Sequence, residues 1–411
     1  MSAPASGRER GIRTLLFSSL YPSSVRPGFG IFVETRLKHL LASGEVETRV
    51  LAPVPWFPST HPRFGAWAKN AATPLHEVRN GVEIFHPRYL LPPKVGMNVA
   101  PLLLALGARS TVAKLIADGF DFDVIDAHYY YPDGVAAAIL ASWFGKPFVI
   151  TARGSDLTLL PEYPVPRRWI QWAESRAAAS IGVCRDLMDR LVRLGGRADK
   201  THVFRNGVDL ERFTPQDQAD ARQRLGIPDG RILLSVGNLV ELKGHHIAIE
   251  AMTRLPDARL FILGEGEERK NLKALAEHHD VADRVTFAGA RPQSELSYWY
   301  SAADALVLCS SREGWANVLL ESMACGTPVV ATPLGGTPEV VQSPDAGRLM
   351  AERSVNALVD ALNALFAARP SRQAVRAYAE QFDWAETTRC QLALFKQIMG
   401  SRGAADPNSM T

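Results

Sequence analysis

Cysteine is scarce in these 411 residues: Cys184, Cys309, Cys325 and Cys390 are scattered, with no Cys-x-x-Cys pair. That excludes a disulfide scaffold and a structural zinc site, and makes a reducing cytoplasm the expected setting. An excess of one charge is also lacking. With 46 Lys and Arg against 43 Asp and Glu the net charge is +3, and no basic stripe is studded with aromatics, so nucleic acid is not an expected partner. Long apolar runs are missing too. Thr14 to Leu20 is too short for a secretory core, and Met97 to Ala108 is too short and too interrupted by Pro101 for a membrane span. No Asp-x-Asp pair stands at a strand end, so no metal site is expected.

What remains is an ordinary globular composition, 46% hydrophobic and 22% charged, long enough for two domains. Short apolar runs read as buried strands at Thr14–Ser18, Arg49–Val54, Val82–Phe85, Val124–Ala127, Phe148–Thr151, Ser180–Val183 and His202–Phe204. A second series follows at Ile232–Val236, Arg259–Leu263, Val285–Ala288, Ala305–Cys309 and Pro328–Ala331, with helical spacing between many of the runs. Such alternation gives α/β architecture with doubly wound parallel sheets. An Asn-Gly turn at Asn206-Gly-Val-Asp209 marks the passage from one series to the next.

The richest segment runs from Ser311 to Ala331. Glu313 falls in the loop after one strand and Glu321 about two turns into the following helix. That loop lies at the carboxyl edge of a parallel sheet, where ligands bind. The amides of Trp315, Ala316, Asn317 and Val318 form the helix start and suit an anion. Carboxylates there accept hydrogen bonds from sugar hydroxyls. Lys243, before Gly244 and a helix, can reach a diphosphate. Leu263-Gly264-Glu-Gly266 is a glycine turn after a strand, but Arg269 stands where a dinucleotide fingerprint needs its third glycine. In the first half, His128 follows a strand and can exchange a proton near neutral pH. Arg153, in another strand-end loop, can hold an anion.

Glu313, seven residues, then Glu321, with Gly314 between them and Pro333-Leu-Gly-Gly-Thr-Pro-Glu339 beyond, resembles the Glu-x7-Glu signature of retaining GT-B glycosyltransferases of family 4. The resemblance covers roughly residues 12–400. Within the family, Arg26 to Arg36, Pro53 to Pro58 and Thr151 to Asp156 are similar to TuaC-like proteins of teichuronic acid synthesis. It implies a GT-B fold, two Rossmann-like domains facing across a cleft. Residues 11–205 form the acceptor-side domain and 206–380 the donor domain, while 381–400 form a helix returning to the first. Residues 1–10 and 401–411 are expected to be disordered.

It further implies that Glu321 binds the donor ribose and Glu313 lies near the donor sugar, with His128, Lys243 and Glu313 as the catalytic set. Gly264, Gly266 and the backbone near Arg291 lie beside the base, and Gly28 and Gly30 form a loop approaching the donor. Two departures stand out. Asn238 occupies a position where the family has arginine, leaving the second phosphate cation between Arg205 and Arg312, and Arg153 stands where many members have histidine.

The implied function is transfer of a hexosyl unit from a nucleotide sugar, UDP-linked by expectation, to a glycan or lipid-linked acceptor in cell-surface polysaccharide synthesis, with no cofactor. A sugar-nucleotide epimerase on the same fold and a non-catalytic sugar-nucleotide-binding subunit are the alternatives. The expected location is cytoplasmic, with peripheral contact to anionic membrane through the arginines between Arg167 and Arg197 and the apolar residues among them, Trp169, Ile170, Trp172, Leu187, Leu191 and Leu194.

Overall fold

The structure, a computed structural model, describes residues 11–92 and 96–403. The disorder expected for 1–10 and for 404–411 lies outside them. Residues 401–403, expected in the tail, instead continue the last helix, Ala385–Gly403. By their internal contacts the described residues form two compact units: 11–204 together with 385–403, and Arg205–Trp384.

The first unit carries β1 (Ile12–Phe17), β2 (Val46–Leu51), β3 (Val54–Pro55), β4 (His76–Arg79), β5 (Val82–Phe85), β6 (Arg88–Tyr89), β7 (Val124–His128), β8 (Phe148–Ala152), β9 (Ala179–Gly182) and β10 (Thr201–Val203). Eight of them form one sheet in the order β10-β9-β8-β7-β1-β2-β5-β4, and β3 pairs with β6 apart from it. β7 and β8 are buried along their whole length, as parallel strands covered on both faces must be. The chain winds outward from β1 in both directions, so the carboxyl ends of β1 and β7 flank the topological switch point.

β4, absent from the sequence reading, is antiparallel to β5 across Asn80 (φ 51°) and Gly81 (φ 78°). Two successive positive φ values make the tight turn a hairpin needs. Its sequence, His-Glu-Val-Arg, has the polarity of an exposed edge strand, which is why no apolar pattern announces it.

The apolar run at Met97 is longer than its sequence suggests. A helix spans Gly96–Ala117 through Pro101 and, by length and composition alone, could cross a bilayer, with 39% of its apolar window buried in the protein. Proline in a helix frees the carbonyl four residues before it. That carbonyl, on Met97, is taken by the Tyr131 hydroxyl.

Half of the apolar residues of the membrane-facing arrangement expected between Arg167 and Arg197, namely Trp169, Trp172 and Leu194, are partly exposed. Ile170, Leu187 and Leu191 are 0%, 0% and 1% exposed, so these apolar side chains serve the core. Arg190 and Arg197 pair with Asp186 and Asp199.

The second unit carries β11 (Arg231–Val236), β12 (Ala258–Leu263), β13 (Val285–Gly289), β14 (Ala305–Leu308), β15 (Val329–Ala331) and β16 (Gly347–Leu349) in the order β13-β12-β11-β14-β15-β16, all parallel. Leu233, Leu260, Ile262, Val307 and Val330 meet Ile249, Met252, Leu358 and Leu362 of the helices in its core. The switch point here lies between β11 and β14, the strands that lead to Lys243 and Glu313.

Candidate active site

In the second unit the sequence sends three loops off neighbouring strands, and they stack. Gly237 N donates to Leu263 O, Leu239 N to Glu265 O, and Gly264 N to Gly289 O. A Cβ on Gly264, at φ +144°, would sit 1.9 Å from Gly237 O, and one on Gly266 would sit 2.2 Å from Leu239 O. Backbone packing therefore demands both glycines whatever ligand lies beside them.

Lys243 ends a short turn, Glu241–Lys243, ahead of the helix His245–Ala251. Its Nζ donates to Glu313 Oε1 at 2.6 Å, and Ser310 Oγ donates to the same oxygen at 2.7 Å. The structure thus joins two residues 70 apart in sequence at the switch point. Asn238 is exposed and its carbonyl accepts from His245 Nε2 at 3.2 Å. Arg205 is committed to Glu339 through Nε at 2.8 Å and Nη2 at 2.6 Å, whereas Arg312 makes no ion pair among the described residues. The Arg291 side chain lies over Trp299, 5.4 Å from its ring centroid.

The helix Asn317–Ala324 begins at Ala316 with no side-chain cap. Gly314, Trp315 and Ala316 are buried, and Asn317 and Val318 are partly exposed. One expectation needs correction: the Asn317 amide is not an open donor, since it bonds Trp315 O at 3.2 Å. Asn206 of the crossover donates to Asn317 Oδ1 at 3.2 Å and so ties the linker to the helix start. One turn further in, Glu321 Oε2 accepts the Tyr300 hydroxyl at 2.7 Å. Desolvation raises the Glu321 carboxyl above its ordinary pKa, and the Tyr300 bond works against that shift.

In the first unit His128 is the last residue of β7 rather than a loop residue, and it is 1% exposed. Arg153 Nη2 lies 2.7 Å from its Nδ1. A guanidinium only donates, so Nδ1 accepts and the ring proton sits on Nε2, which faces Asp126 Oδ2 at 3.5 Å. Asp126 Oδ2 also accepts from Gln391 Nε2 at 2.8 Å, and Gln391 Oε1 accepts from Arg36 Nε at 2.8 Å. Burial lowers the His128 pKa to about 4 despite Asp126. The expectation of proton exchange near neutral pH is therefore corrected: His128 is neutral there, with both nitrogens occupied.

The carboxylates of the neighbouring loops hold backbone. Asp133 accepts from Ser19 N at 2.6 Å and Ser19 Oγ at 2.9 Å, and burial raises its pKa to about 7. Asp156 accepts from the amides of Tyr130, Arg153 and Gly154. Gly30, at φ +69°, begins the helix Ile31–Ala42 with Leu20 O 2.3 Å from where a Cβ would stand, while Gly28 has open space around it.

From sequence, Tyr300, Ser310, Asp126, Gln391 and Arg36 carry no role of their own, although Asp126 and Arg36 fall in segments that stand out. Tyr300 and Ser310 belong to unremarkable polar stretches. Gln391 lies 265 residues from its partner Asp126, and nothing local to either marks the pair.

The family model Glycosyltransferase Family 4 matches residues 35–212, and the model Glycosyl transferases group 1 matches residues 217–382. Among curated proteins, the chain is similar to a D-inositol 3-phosphate glycosyltransferase of Xylanimonas cellulosilytica, 32% identical over 83% of this chain and 88% of the relative. It is also similar to the teichuronic acid biosynthesis glycosyltransferase TuaC of Bacillus subtilis, 30% identical over 79% and 82%. Among solved structures, sucrose-phosphate synthase of Thermosynechococcus elongatus superposes with a TM-score of 0.79 at 22% identity, covering 95% of this chain and all of that one (100%). Anabaena Alr3699/HepE, solved with UDP, superposes with a TM-score of 0.70 at 22% identity, over 94% and 100%.

Proposed function

The chain belongs to glycosyltransferase family 4, with the GT-B fold, and from that premise we propose that it is a retaining hexosyltransferase using a UDP-sugar donor and a glycan or lipid-linked acceptor of cell-surface polysaccharide synthesis. The observation that carries the donor side is the constellation at the second unit's switch point. Lys243, Glu313 and Ser310 are hydrogen-bonded together there, and Glu321 is held by Tyr300 on the helix that follows.

In this reading the ribose hydroxyls donate to Glu321, and the diphosphate rests on Lys243 and the helix start. Glu313 accepts from a sugar hydroxyl. An ammonium has three donors, so Lys243 can keep Glu313 while it takes a phosphate oxygen. As the bond from C1 to the phosphate oxygen breaks, negative charge grows on the leaving diphosphate, and Lys243 stabilises it more than it stabilises the intact donor. The acceptor oxygen bonds C1 on the same face and its proton passes to the departing phosphate. No side chain then acts as base, which agrees with Asp133 being spent on the amide and hydroxyl of Ser19, Asp156 on backbone amides, and His128 on Arg153 and Asp126. The helix start and Lys243 offset the diphosphate charge without a metal or cofactor.

The relatives named D-inositol 3-phosphate glycosyltransferases favour a second acceptor reading, a phosphorylated polyol. One assay addresses both. Incubation with UDP-glucose, UDP-N-acetylglucosamine or GDP-mannose, with lipid-linked glycan or inositol phosphate, should release nucleotide only with the right acceptor. Epimerised donor in place of transfer would move the protein to the isomerase alternative. Bound donor with no turnover on any acceptor would leave the binding-subunit alternative.

A further inference from the structure

The second unit's sheet ends at β13. Beside that edge the face of β12 and β13 is left open between the helices Gln218–Leu225 and Gln293–Ala302, and a groove of about 670 Å³ lies there. Three guanidiniums line it, Arg224, Arg259 and Arg291, against a single carboxylate, Glu295. Arg291 and Glu295 approach only to 3.8 Å, and the one hydrogen bond of the Arg259 guanidinium among the described residues is a long one, 3.4 Å to Asp283 O. The lining therefore carries an excess of two positive charges without close partners.

Two of these arginines lie on aromatic faces. Arg224 sits 4.3 Å from the Tyr298 ring centroid and Arg291 5.4 Å from that of Trp299. A guanidinium stacked this way keeps its N–H bonds in its own plane, free to fork onto an oxyanion. Beneath Arg291, Trp299 is 4% exposed, and its Nε1–H is buried with no hydrogen-bond partner among the described residues. A buried unpaired donor is costly and uncommon in a folded protein, and an oxyanion reaching the edge of the indole ring in its plane would give it an acceptor.

We propose that this groove is a binding site for a small polyanion, a ligand bearing two or three phosphate or carboxylate groups. Lys243, Glu313 and Glu321 are not in its lining; Arg291 is, through its side chain, while the resemblance puts the backbone near Arg291 beside the base, so the contacts to be varied are those of Arg224 and Arg259. The same oxyanion chemistry could come from a diphosphate or from an acidic oligosaccharide, and the test separates them.

The full chain is titrated with inorganic pyrophosphate, with trigalacturonate and with UDP. The indole N–H signals of its 8 tryptophans are followed by proton–nitrogen NMR, with Trp299 and Trp315 assigned through W299F and W315F. The expected result is a saturable shift of the Trp299 signal. Pyrophosphate producing it marks a diphosphate source, and trigalacturonate alone producing it marks an acidic glycan. In R224E/R259E the affinity of that ligand should fall about tenfold or more, because two charge-assisted contacts are reversed, while UDP affinity stays unchanged. Should the double variant not fold, R259Q, with a loss of roughly threefold or more, takes its place. A Trp299 signal that no polyanion moves, shifts confined to Trp315, or equal affinity in the folded variants overturns the proposal.

Discussion

Tyr300→Phe removes one oxygen, and its consequence can be worked from the structure. The lost bond is a 2.7 Å hydroxyl-to-carboxylate contact to Glu321, from a tyrosine that is itself 0% exposed. Hydrogen bonds to charged groups are worth roughly 1.5–3 kcal/mol, and the variant should lose about that much stability at neutral pH. Burial already raises the Glu321 carboxyl and Tyr300 opposes the shift, so the pKa rises further in the variant. A carboxyl with a folded pKa above its unfolded value loses stability as pH rises from the unfolded value through the folded one. The deficit of the variant should thus be smaller near pH 5 than near pH 8.

UDP affinity follows the same carboxylate. Calorimetry should show a loss of roughly three- to tenfold, about 0.6–1.4 kcal/mol, because the carboxylate loses the hydroxyl that holds it in place. The control is 2′,3′-dideoxy-UDP, which has no ribose hydroxyls to offer Glu321 and should bind both proteins equally. An equal loss for the dideoxy ligand, or no loss for UDP in a folded variant, would refute the placement of the ribose on Glu321.

Lys243→Ala should lower kcat/KM by about two orders of magnitude through lost stabilisation of the leaving phosphate, and near-normal turnover would hand that role to Arg312. His128, with its pKa lowered to about 4, should leave no break in the pH–rate profile between pH 5.5 and 8. Because its folded pKa lies below the unfolded 6.5, the unfolded chain takes up the proton first, so stability should fall as pH drops from 6.5 toward 4. Thermal melts should show that fall flattened in His128→Gln, and an unflattened curve would detach it from His128. Turnover should persist in EDTA with the donor's anomeric configuration kept, read from the product's anomeric proton. Inversion would require a carboxylate base, and lost activity on chelation would require a metal.

Much of the fold was legible because its signals are local. β7, β8, β12 and β14 are apolar runs of strand length, and apolar side chains must leave water wherever they end up. The helix Asn317–Ala324 announces itself by spacing, and with it the eight-residue step from Glu313 to Glu321. The hairpin strand His76–Arg79 was not legible, since an edge strand with water on one side needs no apolar pattern. The length of the helix Gly96–Ala117 was hidden for another reason: Pro101 argues for a break unless one knows that Tyr131 accommodates the freed carbonyl.

The sequence by itself determined most of the segments that become buried strands and the helices between them, where the chain crosses from one unit to the next, and which residue types stand at strand ends. Strand order decided the rest. Placing β11 beside β14 brought Lys243 to Glu313, the fold of the second unit laid Tyr300 on Glu321, and the final helix carried Gln391 to Asp126 beneath His128. These contacts set protonation. Taking a group out of water and fixing its partners shifts its charge, so a histidine that reads as a base near neutral pH becomes a neutral, fully occupied one. Partners 70 or 265 residues apart leave no periodic trace in a sequence, because their meeting depends on every strand between them taking its place.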